Sequence, residues 1–247
     1  MHIAHFAHES ALAAALAARL ADLVAARPTL VLGLPTGRTP LALYQALVAT
    51  SRDRGLDWSR VRTFNLDEFA GLGGDDPGSY RRFMQERLFG PLGIGADQVG
   101  FLDGRAPDLV AECARYEAAI DAAGGIDLQL LGIGANGHIG FNEPARGLSA
   151  LTHAVVLEER TRVANAQWFG GDADRVPLRA LSMGMATILR SREIVLLATG
   201  TEKADVVRRM IEGPVTTELP ASFLQLHPHV TAMLDAGAAS ALSPAGG

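Results

Sequence analysis

The chain has 247 residues, 48% of them hydrophobic and 20% charged, and its net charge at neutral pH is −5. That composition excludes disordered and fibrous classes, and the length suits one α/β domain around a single sheet. The acidic balance leaves no broad basic field for nucleic acid, so an anionic ligand must be met by a few placed cations.

Cys113 is the only cysteine, which rules out an intrachain disulfide and a cysteine-built zinc cage and fits a reducing compartment. Of 22 basic residues, 21 are arginines and one, Lys203, is a lysine. The N-terminal stretch MHIAHFAHESALAAALAARLADLVAARP has no basic leader and no apolar run long enough for a bilayer. Its Ala/Leu spacing reads as an amphipathic helix, and a cytoplasmic protein without membrane partners is expected. HIAHFAH invites a metal reading, but in a strand His5 would face away from His2 and His8, and no metal is expected.

Apolar runs then alternate with helical patterns. TLVLGLP (29–35) precedes a helix from about Pro40, VRTFNL (61–66) precedes one from about Pro77, and IDLQLLGI (126–133) follows the Ala-rich segment 107–123. HAVVL (153–157) leads to a helix over 158–169, and REIVLLATG (192–200) to one over 202–211. Short, almost wholly apolar strands in this order predict a Rossmann-like, mainly parallel sheet with helices on both faces, one domain over 1–247. The tail 237–247 is expected to fray.

In open parallel sheets, ligands bind outside the carboxyl ends of the strands. Four loops fall there. GLPTGRTP offers Thr36, Gly37, Arg38 and Thr39 at a helix start, where free N–H groups and hydroxyls suit a phosphate. Its glycine spacing is not that of a Walker loop, and an ordinary turn with Thr39 as N-cap and Pro40 as the first helical residue is the alternative. NLDEFAGL delivers Asp67 and Glu68 at the end of a buried strand, a placement that raises a carboxylate's proton affinity; a solvated acidic turn is the plainer alternative. ATGTEK brings Lys203 to the same edge, and Arg162 stands either as a second phosphate clamp or as a helical partner of Glu158.

The remaining loop, GIGANGHIGFNEP, spells Gly132-x-Gly134-x-x-Gly137 after a strand, as a dinucleotide fingerprint does. The fingerprint then needs a helix, which Gly140, Pro144 and Gly147 forbid. A long irregular loop carrying Asn136, His138 and Glu143 points instead to proton transfer on a sugar or carbonyl, with Gly134 letting backbone approach a ligand.

LGLPTGRTPLALY, FNLDEFAGL, DPGSYRRFM, GIGANGHIGFNEP, TRVANAQWF, ALSMGMATIL and LQLHP, spread in order from about Leu30 to Pro228, resemble the glucosamine-6-phosphate deaminase family. The resemblance implies conversion of glucosamine 6-phosphate and water to fructose 6-phosphate and ammonia, through ring opening and C2/C1 proton transfer by an enediol-type intermediate. It implies Asp67 as the base, His138 with Glu143 and Asn136 as the ring-opening group, and Thr36 to Thr39, Glu68, Gly134, Arg162 and Lys203 as the binding set. No metal or organic cofactor is implied, and monomer and homo-oligomer both remain open. In the segment SALTH, Leu151 stands where the family often has an arginine associated with an allosteric pocket, so weak or absent activation is expected. The rival readings are a 6-phosphogluconolactonase, a galactosamine-6-phosphate deaminase and a non-catalytic sugar-phosphate sensor; the Asn-Glu-Pro at 142–144 favours deamination over the lactonase.

Overall fold

The computed structural model describes residues 1–244. After β1 (His2–Phe6) the chain forms α1 (Glu9–Ala26), β2 (Val31–Leu34), α2 (Thr39–Arg54), β3 (Arg62–Asn65) and β4 (Asp67–Phe69). A composite helix follows, opening as α3 (Tyr80–Met84), widening into a π turn over Gln85–Phe89 and closing as α4 (Gly90–Leu92). Next come β5 (Val99–Gly100), α5 (Leu109–Ala122), β6 (Leu128–Gly132), β7 (His153–Val156) and α6 (Glu159–Asn165). The chain ends through β8 (Arg179–Ser182), α7 (Met185–Leu189), β9 (Glu193–Ala198), α8 (Ala204–Glu212) and β10 (Val230–Asp235).

Seven strands form one parallel sheet in the order β1-β10-β9-β6-β2-β3-β5. All four residues of β2 are buried, so this strand shows no alternation of apolar and polar positions, as a strand covered on both faces requires. One face packs on α1 and α2 through Leu12, Leu16, Leu20, Leu43, Tyr44 and Leu47. The other packs on α5 and α8 through Tyr116, Ile120, Val207 and Met210. The predicted architecture of a mainly parallel sheet between helical layers is the observed one.

Several local expectations change. HAVVL is not in the parallel sheet; β7 is the edge of a separate antiparallel sheet, β4-β8-β7, and its residues are only partly buried. An apolar spelling alone does not reveal that one side of a strand faces solvent. β1, β5, β8 and β10 have no counterpart among the predicted strands, because they are short or sit beside stronger helical patterns, and β4 is expected only as the end of the strand before it. His8 caps α1, its Nδ1 accepting from Ala11 N at 3.1 Å. The helix expected from Pro77 begins three residues later behind a Ser79 cap, and that over 158–169 ends as a 3-10 turn at Ala166–Phe169. Residues 237–244 form turns, with Ala238 fully buried and Ser243 N donating to Glu212 Oε1 at 2.7 Å; the rest of that tail lies outside the described residues. No helix among the described residues is long and apolar enough to cross a membrane.

Because the seven strands run the same way, Leu34, Asn65, Gly132, Ala198 and Asp235 all end at one edge. Leu16, fully buried between α1 and the sheet, is remote from that edge. Leu16→Ala should lower the unfolding free energy by about 2–5 kcal/mol, read from the urea midpoint at constant slope.

Candidate active site

β3 and β4 are separated by one residue, Leu66, whose N–H donates to Leu34 O at 3.1 Å. This break carries the chain from the parallel sheet into the antiparallel one and leaves Asp67 at the strand-end edge. Adjacent residues of a strand face opposite sides, so Asp67 and Glu68 meet different surroundings.

Glu68 accepts from Phe69 N (2.8 Å), Ser79 Oγ (2.7 Å), Tyr80 N (3.1 Å) and Arg81 N (3.0 Å). It holds the amino end of α3, with both oxygens engaged. Glu68, expected in the binding set, thus anchors the start of α3 through these bonds. Burial pushes its carboxyl up, while these donors pull the other way.

Asp67 is buried too, but its Oδ1 meets no hydrogen-bond partner. Burial, with the Glu68 charge beside it, raises its pKa to about 8, and only the Thr36 hydroxyl opposes this. All three tyrosines of the chain, Tyr44, Tyr80 and Tyr116, are pushed up first by burial and then by the Asp67 charge. Asp67 is thus a solvent-poor carboxylate among phenol rings, a group that holds a proton more tightly than an acid in water.

The loop after β6 contains no helix, as its glycines and proline require. Gly137 (φ 89°) and Gly140 (φ 57°) are left-handed. Asn142 Nδ2 donates to Ile139 O (2.9 Å) and Met183 O (2.8 Å), fixing the turn between them. Phe141 N donates to Ser182 Oγ at 3.0 Å, and Ser182 pairs with Asp67 across β4 and β8, which ties the loop to the strand carrying the carboxylate. A Cβ built on Gly140 would lie 3.7 Å from Asp67 Oδ2.

The same loop brings Asn136, His138 and Glu143 together. His138 Nδ1 lies 3.3 Å from Glu143 Oε2, off line for a full hydrogen bond. Asn136 Nδ2 donates to that oxygen at 2.5 Å, and Asn136 Oδ1 accepts from His138 N at 3.2 Å. Asn136 therefore orients the imidazole through Glu143 and the backbone, not by contact with the ring nitrogens. The other oxygen, Glu143 Oε1, accepts from the Thr161 hydroxyl. Burial alone would raise Glu143; His138, Thr161 and Asn136 together outweigh it and bring the carboxyl down to about 2. The imidazole lies over Gly134, where a Cβ would sit 2.3–2.5 Å from ring atoms.

Beside this floor, α2 begins without any side-chain cap, its first turn open to a ligand. Thr39 is the first helical residue and Arg38 occupies the cap position, one residue earlier than expected. Gly37 (φ 113°) turns the chain into that helix. Lys203 reaches Ile133 O at 2.9 Å; burial, and the neighbouring Arg38 charge, lower its pKa against the pull of Glu202. Two cations close enough to repel each other, next to open N–H groups, suit an anion.

Arg162 is placed otherwise. Its Nη2 donates to Ala173 O (2.7 Å) and its Nε to Val176 O (3.3 Å), so it braces α6 against the following turn; it neither pairs with Glu158 nor points at Lys203. Thr161, Tyr80, Ser182 and Asn142 were not singled out from the sequence. All four stand inside the recognised blocks, but their partners are set by tertiary contacts that spacing does not show.

The description "Glucosamine-6-phosphate isomerases/6-phosphogluconolactonase" belongs to the family model that matches residues 5–233. The chain belongs to this family. It is 50% identical over 230 residues to glucosamine-6-phosphate deaminase 2 of Bacillus subtilis, covering 93% of this chain and 92% of the relative. It is 48% identical over 227 residues to a Streptomyces avermitilis glucosamine-6-phosphate deaminase, covering 92% and 87%. A solved monomeric glucosamine-6-phosphate deaminase superposes with a TM-score of 0.94 at 44% identity, covering 98% of this chain and all of that one. The 6-phosphogluconolactonase of Thermotoga maritima shares the fold, with a TM-score of 0.74 at 21% identity over 95% of this chain and 98% of its own.

Within this family site, Gly134→Ala should push the imidazole off its seat without disturbing the sheet. Turnover should fall by about a hundredfold or more at an unchanged unfolding midpoint, measured by steady-state kinetics and urea titration.

Proposed function

We propose that the chain is a glucosamine-6-phosphate deaminase, converting glucosamine 6-phosphate and water to fructose 6-phosphate and ammonia. The observation that carries the reading is the pairing of a buried, proton-retaining Asp67, its Oδ1 without a partner, with the His138–Glu143 dyad on one strand-end edge. The level of identity to deaminases supports it.

The phosphate binds the open first turn of α2 at Thr36 to Thr39, with Arg38 and Lys203 neutralising it, so that contacts far from C2 orient the reacting carbon. Arg162 joins them through Nη1, since its Nε and Nη2 are engaged by Val176 O and Ala173 O. Ionised Glu143, its Oε2 3.3 Å from Nδ1, favours the Nδ1–H tautomer, which leaves the His138 Nε2 lone pair to take the C1 hydroxyl proton and pass it to the ring oxygen as the pyranose opens. Asp67 carboxylate takes the C2 proton, made acidic by the neighbouring carbonyl, and returns it at C1. Water then adds at C2 as ammonia leaves. Each of these steps uses side chains alone.

A galactosamine 6-phosphate differs at C4 only, and the preferred epimer is the one giving the higher kcat/KM when ammonia and ketose phosphate are assayed together. Leu151, half exposed ahead of β7, supplies no cation for an effector phosphate. Substrate saturation should therefore be hyperbolic and insensitive to N-acetylglucosamine 6-phosphate; a sigmoidal curve made hyperbolic by that compound would refute this.

Asp67 must be ionised to act, so kcat/KM should fall about tenfold per pH unit below its apparent pKa near 8. Asp67→Asn should bind substrate and lose turnover, and unchanged turnover would exclude Asp67 as the base. The same raised pKa makes a stability statement. Between the ordinary carboxylate range and about 8 the native state holds a proton that the unfolded chain has released, so stability falls as pH rises. The Asn variant should gain stability over wild type across that window, most at its alkaline end.

A further inference from the structure

Glu143 sits in an irregular loop, and its two oxygens have separate duties. Oε2 meets Asn136 and His138, both from the same loop. Oε1 is held by one group only, the hydroxyl of Thr161, which comes from α6, 18 positions along the chain. We propose that Thr161 is a positioning residue for ring opening: its hydroxyl fixes Glu143 so that Oε2 stays against His138 Nδ1 and Nε2 keeps its lone pair for the substrate. This rests on the reading of His138 and Glu143 as the ring-opening pair.

Three features favour it. A threonine within a helix commonly turns its hydroxyl back to its own backbone, whereas this one reaches across to a carboxylate. Thr161 is 4% exposed and Glu143 8%, so water cannot readily take over the bond. The third is that α6 is pinned to the same loop at a second point. Asn165 Nδ2 donates to Thr161 O at 2.9 Å, and Asn165 Oδ1 accepts from Tyr80 Oη at 2.8 Å. Tyr80 in turn stacks on Phe141, centroids 6.0 Å apart and planes at 16°, two residues before Glu143. The circuit Thr161, Glu143, Phe141, Tyr80, Asn165 closes on itself, so neither the hydroxyl nor the carboxylate can drift alone. Losing Oε1's donor would free Glu143 to rotate, and the imidazole would then exchange its proton between the two nitrogens.

The test compares wild type, Thr161→Val, which keeps the shape and deletes the hydroxyl, and Thr161→Ser, which keeps the hydroxyl. Turnover of glucosamine 6-phosphate and the ¹⁵N NMR shifts of the His138 ring are read in each. The valine variant should lose roughly ten- to a hundredfold in kcat with KM within about twofold, and its ring should show both tautomers. Serine should restore both readouts. Should the valine variant not fold, Thr161→Ala supplies the deletion. A hydroxyl-less variant that keeps kcat and a single Nδ1–H tautomer, or a serine variant as impaired as valine, would overturn the assignment. His138→Gln separates this failure from that of the underlying reading. If His138→Gln retains turnover, the ring-opening role itself is wrong; if it is slow while the hydroxyl-less variant is not, only the role of Thr161 falls.

Discussion

A buried carboxylate left short of hydrogen-bond donors is the constraint around which this molecule is arranged. Asp67 gains its proton affinity from burial beside a second acid, and that second acid has both of its oxygens occupied. Strand alternation makes the division of labour. One carboxylate turns into the helix amino end and is saturated by four donors; its neighbour turns the other way and is left short of them. Two adjacent acids of the same chemistry are thereby made into a structural anchor and a base.

The rest of the site compensates for what that buried acid cannot do. In an acidic protein, the proposed phosphate seat joins an uncapped helix start to two cations whose mutual repulsion a bound anion would relieve. Behind the His138 imidazole stands a carboxylate in the opposite condition, Glu143, well supplied with donors and held ionised. One acid kept reluctant to ionise and another kept charged, in a single cleft, is how carboxylates acquire distinct tasks at neutral pH.

Much of this was legible in the sequence because the chemistry sits on short contiguous loops at strand ends. The apolar runs around β2, β6 and β9 announce buried parallel strands, and Gly140 with Pro144 shows that no helix can follow the glycine triad. What was not legible depends on the third dimension. HAVVL spells a buried strand yet lies at a partly exposed edge, because the spelling does not say which side is covered. Glu68 and Asp67 are indistinguishable in a line of text; only the donors of Ser79, Tyr80 and Arg81 tell them apart. Arg162 has the charge for a phosphate, but that its Nε and Nη2 brace the carbonyls at 173 and 176 is not written in the sequence. Thr161 looks like any helical threonine until its hydroxyl is traced to Glu143.

Two of the three glycines that imitate a nucleotide-binding signature have separate local causes. Gly134 lacks a side chain because an imidazole occupies that volume, whereas Gly137 combines a left-handed backbone with the pressure of Leu219, whose Cδ1 would stand 2.2 Å from an added carbon. Neither reason involves a pyrophosphate. An identical spelling has thus arisen from unrelated steric demands, so a pattern search that stops at the glycines would file this enzyme among oxidoreductases, while the residues packed against each empty position classify it correctly.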